Sequence, residues 1–288
     1  MRIAKILTAF MAMLTTFLAT GAGFAQDIPD GLKVIGKPVD GLMGFQPAAT
    51  ELARDVHFLD SLIVAIVTAI SIFVVLLLVL VVLRFNRRAN PNPATFTHNS
   101  VIEVVWTIVP ILILIVIGAF SLPVLFKQVQ IPAADVTIKV TGNQWYWSYE
   151  YTDDDFGFDS FKLERSELAD HGYADDEYLL ATDNAVVVPV NKTVVLQITG
   201  SDVIHSWTIP AFGVKQDAVP GRLAETWFKV DPGMEGVYFG QCSELCGKDH
   251  AYMPITVKVV SEQDYAKWLK SAASEFAGNP KTVTLASN

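Results

Sequence analysis

The chain has 288 residues, 51% of them hydrophobic and 18% charged, with a formal net charge of −9 at neutral pH. So negative a chain makes a poor partner for nucleic acid, whose phosphates would repel it. Two uncharged apolar stretches, each long enough to cross a bilayer, argue against a wholly water-soluble protein.

The first residues read as a signal peptide covering 1–25. Arg2 and Lys5 form its charged start, Ile6 to Leu18 its apolar core, and Gly23-Phe24-Ala25 a small-residue cleavage site that would leave Gln26 first. An uncleaved anchor is the alternative, but the apolar run is short and ends in Gly21-Ala22-Gly23. The chain is therefore expected to start outside the cytoplasm, with 26–61 as an external segment.

Residues 62–126 are expected to form a transmembrane α-hairpin of two helices. Leu62 to Leu83 is 22 residues without a charge, and Val104 to Phe126 is 23. About 20 apolar residues span the hydrocarbon core. Between them Arg84-Phe85-Asn86-Arg87-Arg88 places the loop in the cytoplasm by the positive-inside rule, so both long arms face outward. Pro110 lies inside the second span, where a kink is expected.

Residues 127–288 read as an external β domain. Strands are predicted over 136–140, 145–151, 185–190, 193–198, 203–209, 225–230, 236–240 and 254–260. Short strands separated by turn residues indicate a sandwich or barrel. Ser261-Glu262-Gln263-Asp264 then reads as the N-cap of a short C-terminal helix carrying Tyr265, Trp268 and Leu269. This region holds 23 acidic side chains against 13 basic ones, and eleven of the acids lie in 153–183. That concentration is either a solvated face or a docking field for a basic partner. Glu150, Asp159 and Asp183 are the candidate docking acids.

The most informative stretch is Cys242-Ser243-Glu244-Leu245-Cys246-Gly247-Lys248-Asp249-His250-Ala251-Tyr252-Met253, which holds both cysteines of the chain. Thiolate, imidazole and thioether are the ligands that select copper, and a long axial methionine recurs in copper electron-transfer sites. A mononuclear copper of that type needs one thiolate. The second cysteine is explained if two thiolates bridge two copper ions. The competing reading is a disulfide, which exported cysteines often form, but it leaves His250 and Met253 without a use. The loop would join the last two strands, and a second imidazole is then required from a neighbouring loop. His57 and His98 flank the spans and His171 sits in the acidic insertion, so His205, in Asp202-Val203-Ile204-His205-Ser206-Trp207, is the remaining candidate.

Together these elements resemble subunit II of a haem–copper cytochrome c oxidase of the alphaproteobacterial, mitochondrial-like type. The resemblance covers nearly the whole chain. It is carried by Phe96-Thr97-His98-Asn99, by Gly142-Asn143-Gln144-Trp145-Tyr146-Trp147-Ser148-Tyr149-Glu150-Tyr151, by Asp217-Ala218-Val219-Pro220-Gly221-Arg222, and by the Gly240 to Met253 loop. It implies a cupredoxin-like domain with a dinuclear copper centre held by His205, Cys242, Cys246, His250, Met253 and the backbone carbonyl of Glu244. The Glu244 side chain would reach a magnesium ion shared with subunit I. Trp145 matches the aromatic residue where electrons from cytochrome c enter; as a bare sequence feature it equally reads as a packing aromatic. Glu103 matches the carboxylate at a proton-channel mouth, and equally reads as an acid complementing the helix dipole. Asn143 stands where many members have His and is given no role. Haem would lie only in the partner, since the chain has no C-x-x-C-H. Expected partners are subunit I, subunit III and cytochrome c. The expected location is the bacterial inner membrane, crossed by both spans, with the copper domain in the periplasm.

Two other classes use part of these features. A membrane-anchored, thioredoxin-like copper chaperone also has C-x3-C and a distant His, but predicts βαβ alternation and one anchor. A quinol-oxidase subunit shares the architecture but lacks the copper ligands.

Overall fold

The computed structural model describes residues 31–276. The expected signal peptide lies outside the described residues.

Thr50 starts the first long element. Its hydroxyl accepts a hydrogen bond from the Ala53 amide at 3.0 Å and caps helix α1, Glu51–Arg84. Asn99 caps helix α2, Ser100–Val129, in the same way, accepting from the Val101 and Ile102 amides. The Asn99 amide donates back to the Glu103 carboxylate at 3.3 Å, one turn into the helix. Pro110 and Pro123 both lie inside α2, and the chain stays helical through them.

Helix α1 begins at Glu51, well before the apolar run that starts at Leu62. At about 1.5 Å per residue it is about 50 Å long, more than the roughly 30 Å of a hydrocarbon core. Its outer turns do a different job from its apolar part. Leu52 and Ala53 are buried, and the Thr50 hydroxyl donates to the Phe212 carbonyl at 2.7 Å. The Ala49 amide donates to the Ala211 carbonyl at 2.8 Å. Arg54 pairs with Asp231. Lys127, at the other helix's outer end, bridges Glu51 at 2.5 Å and Asp55 at 2.7 Å, and its carbonyl accepts from Trp227 Nε1 at 3.2 Å. The hairpin is thus bolted to the β domain by its first turns.

Among the described residues there are eleven strands, β1 before the hairpin and the other ten in the β domain after it: β1 Val34–Gly36, β2 Val136–Asn143, β3 Tyr146–Tyr151, β4 Phe156–Ser160, β5 Val186–Pro189, β6 Thr193–Gly200, β7 His205–Ile209, β8 Val214–Ala218, β9 Ala224–Lys229, β10 Gly236–Gln241 and β11 Pro254–Val260. One sheet runs β4-β3-β2-β6-β9, a second runs β1-β10-β11-β5, and β7 pairs with β8. Alternation builds the core. Along β2, Val136, Ile138 and Val140 are buried while Thr137 and Lys139 are partly exposed. These side chains join Trp147, Tyr149, Leu196 and Phe228 of the same sheet and Tyr238, Ile255 and Val257 of the other in one apolar cluster. The expected sandwich is what forms.

Strand β10 is buried along both faces. Its outer face carries Val237 and Phe239, which pack with Leu163, Leu168, Leu180 and Ala181. The acidic insertion is therefore folded onto the sheet by its own leucines. Helix α3, Glu262–Glu275, is capped by the Ser261 hydroxyl accepting from the Asp264 amide at 3.1 Å, and buries Trp268 and Ala272.

Candidate metal centre

The loop between β10 and β11 is held at both ends. The β10–β11 ladder ends on the Gln241–Pro254 pair, and the Cys242 amide extends it by donating to the Met253 carbonyl at 3.1 Å. The Ser243 amide donates to the Ser206 carbonyl at 2.9 Å, which ties the loop to β7. His205 opens β7, so the two segments expected to share the imidazoles and thiols are hydrogen-bonded neighbours.

The ligand atoms of His205, Cys242 and Cys246 lie within 4.8 Å of one another, and all three residues are buried. Both cysteines are free thiols, with 3.8 Å between their sulfurs. A disulfide needs about 2.05 Å, so the pair is not bridged covalently. Each sulfur faces its own imidazole. Cys242 Sγ lies 3.9 Å from His205 Nδ1, and Cys246 Sγ lies 3.6 Å from His250 Nδ1. The Glu244 carbonyl stands 3.3 Å from Cys242 Sγ, while the Glu244 residue is exposed. Met253 is only 1% exposed and directly follows the short His250–Tyr252 turn.

The ring of His205 is fixed from behind. Asp202 Oδ1 lies 2.8 Å from its Nε2, which leaves Nδ1 for the sulfur side. Gly142 makes room for the ring: a Cβ at that position would come within 2.8 Å of it. The same Asp202 accepts from the Gln144 amide at 2.7 Å through its other oxygen. Neither Asp202 nor Gln144 was singled out from sequence. Asp202 lies three residues before His205, and that spacing was its one available signal.

The electrostatics of the thiols follow from this packing. Burial pushes the Cys242 thiol up, but the His205 ring, the Ser206 and Glu244 backbone and His250 outweigh it and bring it down to about 6. Cys246 is pushed up to about 12 by burial and by the neighbouring Cys242. Burial alone would lower His205, yet Cys242 and Asp202 hold it above its ordinary value.

The donor set fits copper: two adjacent sulfurs, two imidazoles, a buried thioether and a carbonyl.

Trp145 is half-buried, and its Nε1 donates to the Cys246 carbonyl at 3.2 Å. Gln144 Nε2 donates to the same carbonyl at 2.9 Å. The candidate docking acids make internal contacts. Glu150 pairs with Lys139 at 2.9 Å, Asp159 accepts from the Ser148 hydroxyl at 2.7 Å, and Asp183 accepts from the Phe161 and Asn184 amides at 2.7 Å each. Burial pushes the Asp183 carboxyl up. Glu103 lies at the far end of the hairpin, in the first turn of α2, where it accepts from the Asn99 amide.

A two-span anchor, a β-sandwich and a buried thiol–imidazole loop define a membrane-tethered copper domain for electron transfer. The thioredoxin-like alternative required βαβ units, which this sandwich does not have among its described residues.

Comparison with known proteins narrows this class. Residues 136–260 match the model of the periplasmic domain of cytochrome c oxidase subunit II, and residues 38–124 match the model of its transmembrane domain. Cytochrome c oxidase subunit 2 of Cereibacter sphaeroides is 56% identical, with 94% of this chain and 93% of that protein aligned. The protein called probable cytochrome c oxidase subunit 2 in Rickettsia bellii is 46% identical over 88% of this chain and 91% of its own length. The crystal structure of the periplasmic domain of subunit II of cytochrome oxidase from Bradyrhizobium japonicum is 52% identical, covers 51% of this chain and all of that one, and superposes with a TM-score of 0.45.

The chain belongs to the cytochrome c oxidase subunit II family, of the alphaproteobacterial type. It is the electron-transfer subunit of an oxygen-reducing oxidase, a membrane protein whose cupredoxin-like periplasmic domain carries a copper centre.

Proposed function

We propose that Cys242 and Cys246 bridge two copper ions, with His205, His250, Met253 and the Glu244 carbonyl completing the donor set. We further propose that the chain takes electrons from cytochrome c through Trp145 and delivers them to the haem of subunit I, where oxygen is reduced to water. The observation that carries this reading is the pair of free, buried thiols 3.8 Å apart, each facing its own imidazole. When bound, copper shared by two thiolates supplies one-electron exchange with the charge change spread over many atoms.

The chain's own groups serve that exchange in separate ways. His205, Cys242, Cys246 and Met253 are only 0%, 6%, 3% and 1% exposed, which keeps water away from these four ligands. Asp202 holds the His205 ring in one orientation. The Trp145 indole, half-open to solvent, bonds the backbone of a ligand residue, which gives an electron a short path from the surface. Glu244 is exposed while its carbonyl faces the sulfur, so its carboxylate is available to a magnesium ion shared with subunit I.

The remaining assignments follow the same reading. Glu103 stands at the cytoplasmic end of α2, at the mouth of a proton channel. Subunit I, with subunit III, covers apolar hairpin faces that are exposed in the single chain. Glu150, Asp159 and Asp183 contribute to the acidic field that draws the donor. The hairpin crosses the bacterial inner membrane with Arg84–Arg88 in the cytoplasm.

Electron paramagnetic resonance of the copper-loaded chain tests the bridging role. The parent is expected to give the hyperfine pattern of one electron shared by two copper nuclei, and Cys246→Ser to abolish it. Survival of the shared pattern in Cys246→Ser would refute the bridge.

A further inference from the structure

The surface over Trp145 carries a charge of the opposite sign to the domain around it. Lys248 Nζ lies 5.2 Å from the centroid of the Trp145 ring, within the range where an ammonium is attracted to an aromatic face. The Lys248 side chain is 75% exposed, and its carboxylate contact is Asp249, at 3.5 Å. Several other cations of this domain sit closer to their acids: Lys139 with Glu150 at 2.9 Å, Lys162 with Glu164 at 2.5 Å, Arg165 with Asp175 at 2.6 Å and Lys267 with Asp264 at 2.9 Å.

The loop backbone places this cation. Gly247 has a φ of +125°, a conformation that side chains with a Cβ rarely adopt, and a Cβ there would meet the Trp145 ring and Gln144 at 3.0–3.3 Å. The loop therefore lies directly on the indole. The Cys246 carbonyl takes hydrogen bonds from Trp145 and Gln144, and the next residue after Gly247 sets its charge over the ring.

We infer that Lys248 is a specificity-determining residue for electron entry, sorting donors by the charge at the centre of their contact face. This rests on the reading of Trp145 as the entry point. Two length scales separate its action from that of the acidic surface. The excess of carboxylates acts on an approaching donor from a distance, and salt screens it within about 10 Å at 0.1 M. A single ammonium over the entry ring acts at contact, where its field exceeds that of scattered acids. A donor whose contact centre is basic meets like charge there. A donor that presents a carboxylate or carbonyl at that point gains a partner for Lys248, while a basic rim still meets the acidic surroundings.

The test uses the full chain in the assembled oxidase, with two outer-sphere donors of opposite charge at low ionic strength. Ferrocyanide and hexaammineruthenium(II) each give up one electron with no bond made or broken. Lys248→Glu is expected to slow reduction by ferrocyanide and speed reduction by hexaammineruthenium, each several-fold. Lys248→Met should fall between Lys248→Glu and the parent, and the differences should collapse at high salt. The copper spectrum and the internal transfer from copper to haem should keep their parental values, which a disordered loop would not allow. Both donors moving in the same direction, or neither moving, would overturn the inference. Trp145→Gln separates it from the reading beneath it. Parental entry rates in that variant overturn Trp145 as the entry point, whereas slowed entry with donors unsorted by Lys248 overturns the lysine's role alone.

Discussion

The hairpin and the β domain are built on opposite plans. In α1 the buried residues are Leu52 and Ala53, both in the outer turns, and α2 has none. The β domain buries side chains from both of its large sheets in a single cluster, including Trp147, Trp207, Tyr238 and Ile255 at 0% exposure. The domain is held by its own core, whereas the hairpin presents its apolar surface to lipid and to other subunits, which must supply its packing. Precise geometry is therefore available only in the domain, and that is where the metal ligands are.

The largest effect that bears on this contrast belongs to Trp145. If it is the entry point, Trp145→Gln should slow electron transfer from cytochrome c by orders of magnitude, with copper content and copper-to-haem transfer near parental values in flash-initiated kinetics. A role in packing would instead cost about 3–5 kcal/mol of stability, as truncating a buried aromatic does. A destabilised variant whose folded fraction transfers at the parental rate would assign Trp145 to the core.

A paired substitution sharpens the comparison itself. Ile138 is fully buried in β2, and Ile138→Ala should destabilise the domain by about 2–5 kcal/mol in a denaturant melt. Leu76 is 61% exposed on α1, and Leu76→Ala should shift the same melt by no more than about 0.5 kcal/mol. Comparable losses at the two positions would show that the domain depends on hairpin packing.

The smallest effect concerns the acidic surface. Neutralising Glu150, Asp159 and Asp183 together should lower the association rate with cytochrome c several-fold while dissociation changes less. The three acids already bond Lys139, Ser148 and backbone amides, so a structural contribution would appear as a lowered melting temperature. Equal salt dependence of association in the triple variant and the parent would make these acids structural only.

Much of this was legible in the sequence, for reasons that differ by element. The spans were readable because a bilayer demands length and the absence of charge. The copper loop was readable because its donors lie together within one connection. Strands β2, β6 and β11 showed their alternation or apolar runs. Strand β1 was missed because three residues gain meaning only by pairing with distant β10. Strand β4 follows the Asp153-Asp154-Asp155 run and was absorbed into an acidic stretch, although Phe156 and Phe158 are buried. Strand β8 reads Val-Lys-Gln-Asp-Ala and is polar along its middle. The early start of α1 was hidden because its outer turns pack on Phe212 and pair with Lys127 and Asp231, contacts that no local pattern encodes. Asp202 offered only its three-residue spacing to His205, because its bond to the Gln144 amide joins it to a distant loop, the one carrying Trp145.

The central claim is that one pair of thiols holds two metal ions. Residues 127–288, produced without the spans and without β1, should be loaded with copper, freed of excess metal, and analysed for copper and protein by mass. Two coppers per chain is the predicted result. One copper per chain, with Cys242 and Cys246 still present as thiols, would contradict the account.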